Sequence, residues 1–485
     1  MTYRIETIEL YVRETKPGRM TFALGKKGGT GDVKKGLINP LAHVRLVLKN
    51  SDGDVAFGCA ADRLSVRWLD KRPERSFDRK RRELVSLIES AREIYLKSPK
   101  FTSPFEKWKE CHPLVMQAGR KAKQENLTSS FASALIERAI VDAVCRIEQQ
   151  TVFQMVKADR LGIKPASIHP ELKPLKLSQA IPGKPMTEFS IRHTVGLADP
   201  LTAAELPAEK RVNDGLPETL EEYIKVDGIR HFKVKISGDP KLDRERLEKI
   251  WQVVLGADQP VITLDANESY TSLKLFDQFV NSLEKNSPGL FQHIEYVEQP
   301  LPRALPITPE NERWIRKIAA KKPLLIDEAD GTVNAFKQAI AVGYTGASHK
   351  NCKGFFKSLL NRALVVHHAS QGVSAFLSAE DLQNLPVVPL HQDFAVCGIL
   401  GLEHCERNGH HYNFGLSMLS AKDKANATKH HPDMYEKKKK EWFLKIRKGI
   451  VHCASLQCPG MGVHDEPDWP SMMPMRKWVA SRHGK

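Results

Sequence analysis

Five strand-like segments between residues 231 and 354 each end in a charged residue. They read HFKVKI (231–236), VITLDAN (261–267), HIEYVEQP (293–300), PLLIDEA (323–329) and GASHKNCKG (346–354). Their charged residues are Lys233 and Lys235, then Asp265, Glu298, Asp327 and Lys350. Successive steps from Lys235 to Lys350 are 30, 33, 29 and 23 residues. One βα unit takes roughly 25–35 residues. Helix-like stretches fill the gaps at 243–256, 272–285, 311–320, 335–342 and 355–369. A right-handed series of such units closes into a barrel, whose functional residues sit at the C-terminal ends of the strands.

The alternation of strand side chains refines this reading. Residues i and i+2 share a face, so Lys233 and Lys235 point the same way, as do Asp265 and Asn267. Glu298 shares its face with Tyr296, which leaves Glu295 on the other side as an ordinary polar contact. The first barrel strand falls at 186–195. A seventh ends near Glu380 and Asp381, and an eighth lies within 394–415, with Glu403, His404, Glu406, Asn408, His410 and His411. Glu380, Asp381, Asn408, His410 and His411 are expected to contact substrate.

The remaining segments fit around a barrel. Residues 1–60 read as an antiparallel sheet with a turn at 51–54, and 76–150 read as helices. Ser129 or Ser130 is expected to cap the helix that carries Leu135, Ile136, Ile140, Ala143, Val144 and Ile147. The fold class is therefore α/β: a modified (β/α)8 TIM barrel with an N-terminal α+β capping domain. The divisions expected are 1–163 for the cap, 164–185 for a proline-rich linker, 186–420 for the barrel and 421–485 for a segment packing back on the cap. A glycine-rich, lysine-bearing stretch at 25–32 suits a flap over the site.

Composition excludes several classes. No apolar run approaches the length of a membrane span, the start has no signal-peptide core, and a cytoplasmic protein is expected. Eight scattered cysteines form no CxxC pairs and are expected to be reduced. Cys352, two residues after Lys350, is read as a filler on the same strand face. The net charge is +16, from 74 basic and 58 acidic residues. The densest basic patches, 72–82 and 437–448, have apolar residues at helical spacing and read as solvated helix faces. No nucleic-acid motif accompanies them. The charge alone is open to nucleic acid, an anionic substrate or a plain alkaline surface; a small-molecule carboxylate is the expected partner, nucleic acid and membrane are not, and a homo-oligomer is left open.

Three carboxylates bracketed by lysines suit removal of a proton next to a carboxylate. Asp265, Glu298 and Asp327 form an all-oxygen set for a hard ion such as Mg²⁺, with Mn²⁺ as a substitute. Such an ion stabilises an enediolate. Lys235 is the expected base, Lys233 lowers its pKa and helps hold the substrate carboxylate, and Lys350 faces substrate from the opposite side.

At these residues the chain resembles the enolase superfamily, in its muconate-lactonizing-enzyme, dipeptide-epimerase and mandelate-racemase branches. The resemblance rests on Lys233-Val-Lys235, LDAN (264–267), VEQP (297–300), IDEA (326–329) and Lys350. It implies Mg²⁺, a barrel with an altered second strand, and Asn267 and Glu328 supporting the metal ligands. It also implies a racemase, epimerase or cycloisomerase. An acid-sugar dehydratase is the alternative within the superfamily, and a non-catalytic barrel binding an anionic ligand is the alternative outside it.

Overall fold

The computed structural model describes residues 1–15, 19 and 39–482; the expected flap at 25–32 lies outside the described residues. The first layer is an antiparallel sheet. Tyr3–Thr15 pairs with Asn39–Asn50, which pairs with Val55–Arg63. The turn between the last two is built as its sequence dictates. Asn50 Oδ1 accepts from the backbone of Asp52 at 3.0 Å and of Asp54 at 2.8 Å, and Gly53 takes φ +97°, a region that favours glycine.

Helices Phe77–Lys97, Pro104–Lys121 and Asn126–Ile147 pack on this sheet. Ser76 and Ser103 cap the first two by accepting from Arg79 and Glu106. The third starts at Asn126, ahead of the serines expected to cap it. Ser130 instead donates to the Lys353 carbonyl at 2.9 Å, so a residue read as a cap ties the helix to the barrel. Glu137 on the same helix accepts from the backbone N–H groups of Phe355 (2.5 Å) and Phe356 (3.1 Å). A carboxylate there complements the exposed donors and positive end of helix Phe355–Ser370.

Eight parallel strands follow: Glu188–Val195, His231–Lys235, Val261–Asp265, Ile294–Glu298, Leu324–Ile326, Gly346–His349, Phe376–Ala379 and His404–Glu406. The last pairs with the first, with Glu406 opposite Arg192, so the barrel is closed. All eight run parallel, including the second, and Ile450–His452 adds an antiparallel strand beside the first. Helices Pro240–Val254, Leu273–Asn286, Glu312–Ala319, Ala335–Ala341 and Phe355–Ser370 occupy the gaps read as helical.

The C-terminal segment returns to the first layer. Met473 pairs with Val12 and Pro474 with Tyr11. The Pro-Gly turn at 457–463 packs on the buried helix Asn126–Ile147: Met461 N–H donates to Asp142 at 2.7 Å. The basic tract 437–448 is not a helix face. It is a hairpin, Tyr435–Lys438 against Glu441–Leu444, with Lys439 at φ +53°. Short alternating runs on either side of a left-handed residue outweigh the helical spacing. Cys352 departs similarly: strand six ends at His349, and Cys352 lies in the following helical turn, Asn351–Lys353. All eight cysteines are buried and free. Among the described residues, no helix is long and apolar enough to cross a membrane.

Candidate active site

Strand register brings the charged residues together. Lys235 lies opposite Asp265, and Asp265 opposite Glu298, so three neighbouring strands present one row at the barrel mouth. The next strand is offset. Glu298 pairs with Leu325, so Asp327 stands two residues beyond the row.

Lys233 is the hub. Its ammonium lies 2.7 Å from Glu298 Oε2 and 3.0 Å from both Asp265 Oδ2 and Glu406 Oε2, and also pairs with Glu380. These four carboxylates come from strands three, four, seven and eight. Lys235 pairs with Asp265. Across the mouth, Lys350 and Lys353 each lie 2.7 Å from one oxygen of Asp327. Lys233, Asp265, Glu298 and Asp327 are at most 1% exposed, and Lys350 is 4% exposed.

Braces hold this set. The Gln299 amide oxygen accepts from Asp327 N–H at 2.9 Å. Asn267 N–H donates to Asp265 Oδ1 at 2.8 Å, while its side chain donates to Glu328 Oε1 at 3.2 Å. Trp68, from the capping domain, donates to the same Glu328 oxygen at 3.1 Å. Thr194 donates to Glu406 at 2.6 Å, and Arg192 pairs with Glu380.

The charge states follow from this crowding. Burial opposes the charge on Lys350, but Asp327 beside it prevails and lifts the pKa above the lysine range. Lys233 is lifted likewise: burial opposes its charge, and Asp265, Glu298, Glu380 and Glu406 outweigh burial. These two lysines therefore rest as ammonium groups, because the carboxylates around them outweigh burial and like-charge repulsion. Burial raises Asp327, yet Lys350 and Lys353 hold it well below the carboxylate range. Burial, then Asp265 and Glu380, push Glu298 well above that range. Burial and Asp327 push Glu328 up to about 7.

Asp265, Glu298 and Asp327 have the donor chemistry for a hard divalent ion, and Glu298 Oε1 is buried without a hydrogen-bond partner. Among the described residues, the sets whose ligand atoms all lie within 4.8 Å of one another do not include this trio. Ammonium groups stand between its members, with Lys233 bridging Asp265 and Glu298. The residues fit a cation in charge and donor type, with a lysine now supplying the positive charge.

The other sequence candidates divide. Glu380 joins the hub. Asp381 and Asn408 brace loops beside it: Asp381 accepts from Asn384 N–H at 2.6 Å and Asn408 N–H at 3.3 Å. His410 and His411 do not face the mouth. They fall on the turn Gly409–Tyr412, packed behind strand one against His193 and Tyr223. His411 Nδ1 is 2.7 Å from the Tyr223 hydroxyl, and His410 Nε2 is 3.1 Å from His193 Nδ1. The chain leaves the barrel after Glu406, so the histidines fill a helix–strand gap. Sequence reasoning grouped Glu406 with these histidines and passed over Arg192, Thr194, Lys353 and Trp68. The i, i+2 rule that selected Glu298 also selects Glu406 and the pair Arg192/Thr194. Nothing local marks Trp68.

The fold and site define a capped, closed eight-stranded βα barrel with acidic and lysine residues at its strand ends. Residues 215–361 match the family described as enolase C-terminal domain-like, a likeness that covers the barrel strands carrying the lysines and acidic residues of the mouth up to Lys350. The L-Lys-D/L-Arg epimerase of Methylococcus capsulatus is 30% identical over 166 residues, 32% of this chain and 39% of that protein. The match thus spans well under half of that relative. Among solved structures, muconate lactonizing enzyme from Klebsiella pneumoniae aligns at TM-score 0.55 and 16% identity, covering 95% of this chain and 96% of that one. Dipeptide epimerase from Enterococcus faecalis V583, complexed with Mg and the dipeptide L-Leu-L-Tyr, aligns at TM-score 0.58 and 12% identity, covering 95% and 100%. These two likenesses concern the fold.

Proposed function

We propose that this chain is an isomerase that removes and returns the proton on carbon next to a substrate carboxylate, as a racemase, epimerase or cycloisomerase. The observation that carries this reading is the pair Lys235 and Lys350. They stand on strands two and six, four apart in an eight-strand ring, with Asp265, Glu298 and Asp327 on the strands between them. Asp265, Glu298 and Asp327 would hold Mg²⁺. When bound, such an ion supplies Lewis-acid stabilisation of charge on carboxylate oxygens.

The protein groups divide the remaining work. Lys235 takes the α-proton from one face and Lys350 delivers one to the other, or the reverse for the mirror-image substrate. Each lysine shares its proton with a carboxylate, Asp265 or Asp327, and becomes a base once that carboxylate's charge is taken up by another cation. Lys233 stays an ammonium, held by Glu380 and Glu406, and supplies fixed positive charge where negative charge develops. Asn267 and Glu328 keep Asp265 and the Trp68 indole in register.

The relative's epimerase activity and the dipeptide in the E. faecalis structure support an amino-acid or peptide carboxylate as the first class to try. The test is incubation of dipeptides and other α-substituted carboxylates with Mg²⁺ in deuterium oxide. Deuterium entering at the α-carbon, with inversion, is the expected result. A keto acid formed with loss of water would mark a dehydratase instead, and no exchange across the panel would leave only a binding barrel.

A further inference from the structure

We propose that His349, Asp393 and Cys397 form a buried site for a thiol-preferring divalent ion such as zinc, separate from the carboxylates of the barrel mouth. Strand alternation creates it. Ser348 and Lys350 reach Asp327 on the inner side, so His349 between them projects outward. It meets helix Val388–Leu400, where Asp393 and Cys397 lie one turn apart on one face. His349 is 2% exposed, and Asp393 and Cys397 are fully buried.

Hydrogen bonding fixes the imidazole tautomer. Ser358 Oγ donates to the Gly354 carbonyl at 2.9 Å, so it is left to accept from His349 Nδ1–H at 2.8 Å. His349 Nε2 then carries a lone pair. It points at Asp393 Oδ1, 3.6 Å away, and neither atom has a hydrogen-bond partner. Two acceptors facing each other in a buried site leave both desolvated, at about 1–3 kcal/mol each. A cation between them removes the conflict. A proton on His349 is disfavoured. Burial, the largest cause, lowers its pKa to about 4 against the pull of Asp393, with Arg407, Lys353 and Lys357 adding to the lowering.

The donor types and spacing select the ion. Cys397 Sγ lies 3.9 Å from Asp393 Oδ2, and one donor atom from each residue falls within 4.8 Å of the others. Tetrahedral zinc with bonds of about 2.0–2.3 Å separates its ligand atoms by roughly 3.3–3.8 Å. The Nδ1–H to Ser358 is the outer bond that orients a metal-binding histidine. Arg407 donates to Asp393 Oδ2 at 2.5 Å and balances the carboxylate. On binding, the Cys397 thiol gives up its proton to solvent and the thiolate enters the ion's shell. Because His349 precedes Lys350 and Arg407 follows Glu406, the ion would anchor the ends of strands six and eight from behind.

The experiment is metal analysis of the whole chain with zinc, then cobalt substitution. About one equivalent of zinc per chain should survive dialysis against a weak chelator. The zinc-edge X-ray absorption spectrum should contain one sulfur ligand. The cobalt form should show sulfur-to-metal charge-transfer absorption that is lost in Cys397→Ser and kept in Cys458→Ser and Asp265→Asn. A metal-free chain overturns the proposal, as does absorption that persists in Cys397→Ser. Zinc without sulfur also overturns it, pointing to the surface set His430, His464 and Asp465. The edge spectrum of the unsubstituted chain decides the matter even if Cys397→Ser does not fold.

Discussion

The Lys350 ammonium lies 4.4 Å from the centroid of the Trp68 ring. One residue belongs to the barrel and the other to the capping domain, and the indole N–H also reaches Glu328. Arg303 fixes the arrangement by donating to the carbonyls of Trp68 at 2.8 Å and Leu69 at 3.2 Å, and pairing with Glu268 and Glu125. Trp68→Phe keeps a ring over Lys350 and removes the donor to a buried carboxyl group. It should lower unfolding free energy by about 1–3 kcal/mol, read from denaturant titration. An unchanged midpoint would show that the contact carries no weight.

Lys235→Met and Lys350→Met separate the two proposed proton carriers. Each should slow turnover by roughly 10²–10⁴-fold while leaving α-deuterium exchange for one substrate enantiomer. The fold should survive Lys350→Met, because Asp327 keeps its 2.7 Å pair with Lys353. Equal loss of exchange for both enantiomers in both variants would count against a two-base mechanism.

Divalent ion should act on stability as well as turnover. Six carboxylates, Asp265, Glu298, Asp327, Glu328, Glu380 and Glu406, crowd the mouth. Mg²⁺ at about 100 times its Kd should raise unfolding free energy by about 2.7 kcal/mol. Chelation should reverse the gain, and Asp265→Asn should abolish it. A melting temperature indifferent to Mg²⁺ in the unsubstituted chain would contradict the assignment of the trio.

Acid should weaken the capping domain. His112 stacks on Trp108 and lies 3.0 Å from Ser133 Oγ. Burial, with Lys357 nearby, lowers its pKa from 6.5 to about 4. Above 6.5 both folded and unfolded states are neutral there, and its contribution is intact. As pH falls toward 4 the unfolded chain takes a proton that the folded chain refuses, and on the order of 3 kcal/mol is lost. Denaturation midpoints should drop between about pH 6.5 and about pH 4, less steeply in His112→Gln. A midpoint that rises over that window would be the wrong sign.

Gly460 tests the return of the C-terminal segment. It sits at φ +104°, and an added Cβ would lie 2.5 Å from Asp142 Oδ1. Gly460→Ala should destabilise the fold by about 1–3 kcal/mol. A neutral effect on thermal unfolding would mean that this turn is free to move.

What the chain determines by itself is local and periodic. Side chains alternate every residue along a strand and βα units recur at similar lengths, so Lys233, Lys235, Asp265, Glu298, Asp327 and Lys350 were legible as one strand-end set. The antiparallel first layer was legible for the same reason. Tertiary structure decided what distance along the chain conceals. Strand stagger made Lys233 the centre of four carboxylates and set Asp327 above their row. Domain docking brought Trp68 over Lys350, and the exit of the chain after Glu406 turned His410 and His411 away from the mouth. Each of these depends on residues tens to hundreds of positions apart finding one another, and packing between layers settles that where a periodic pattern does not.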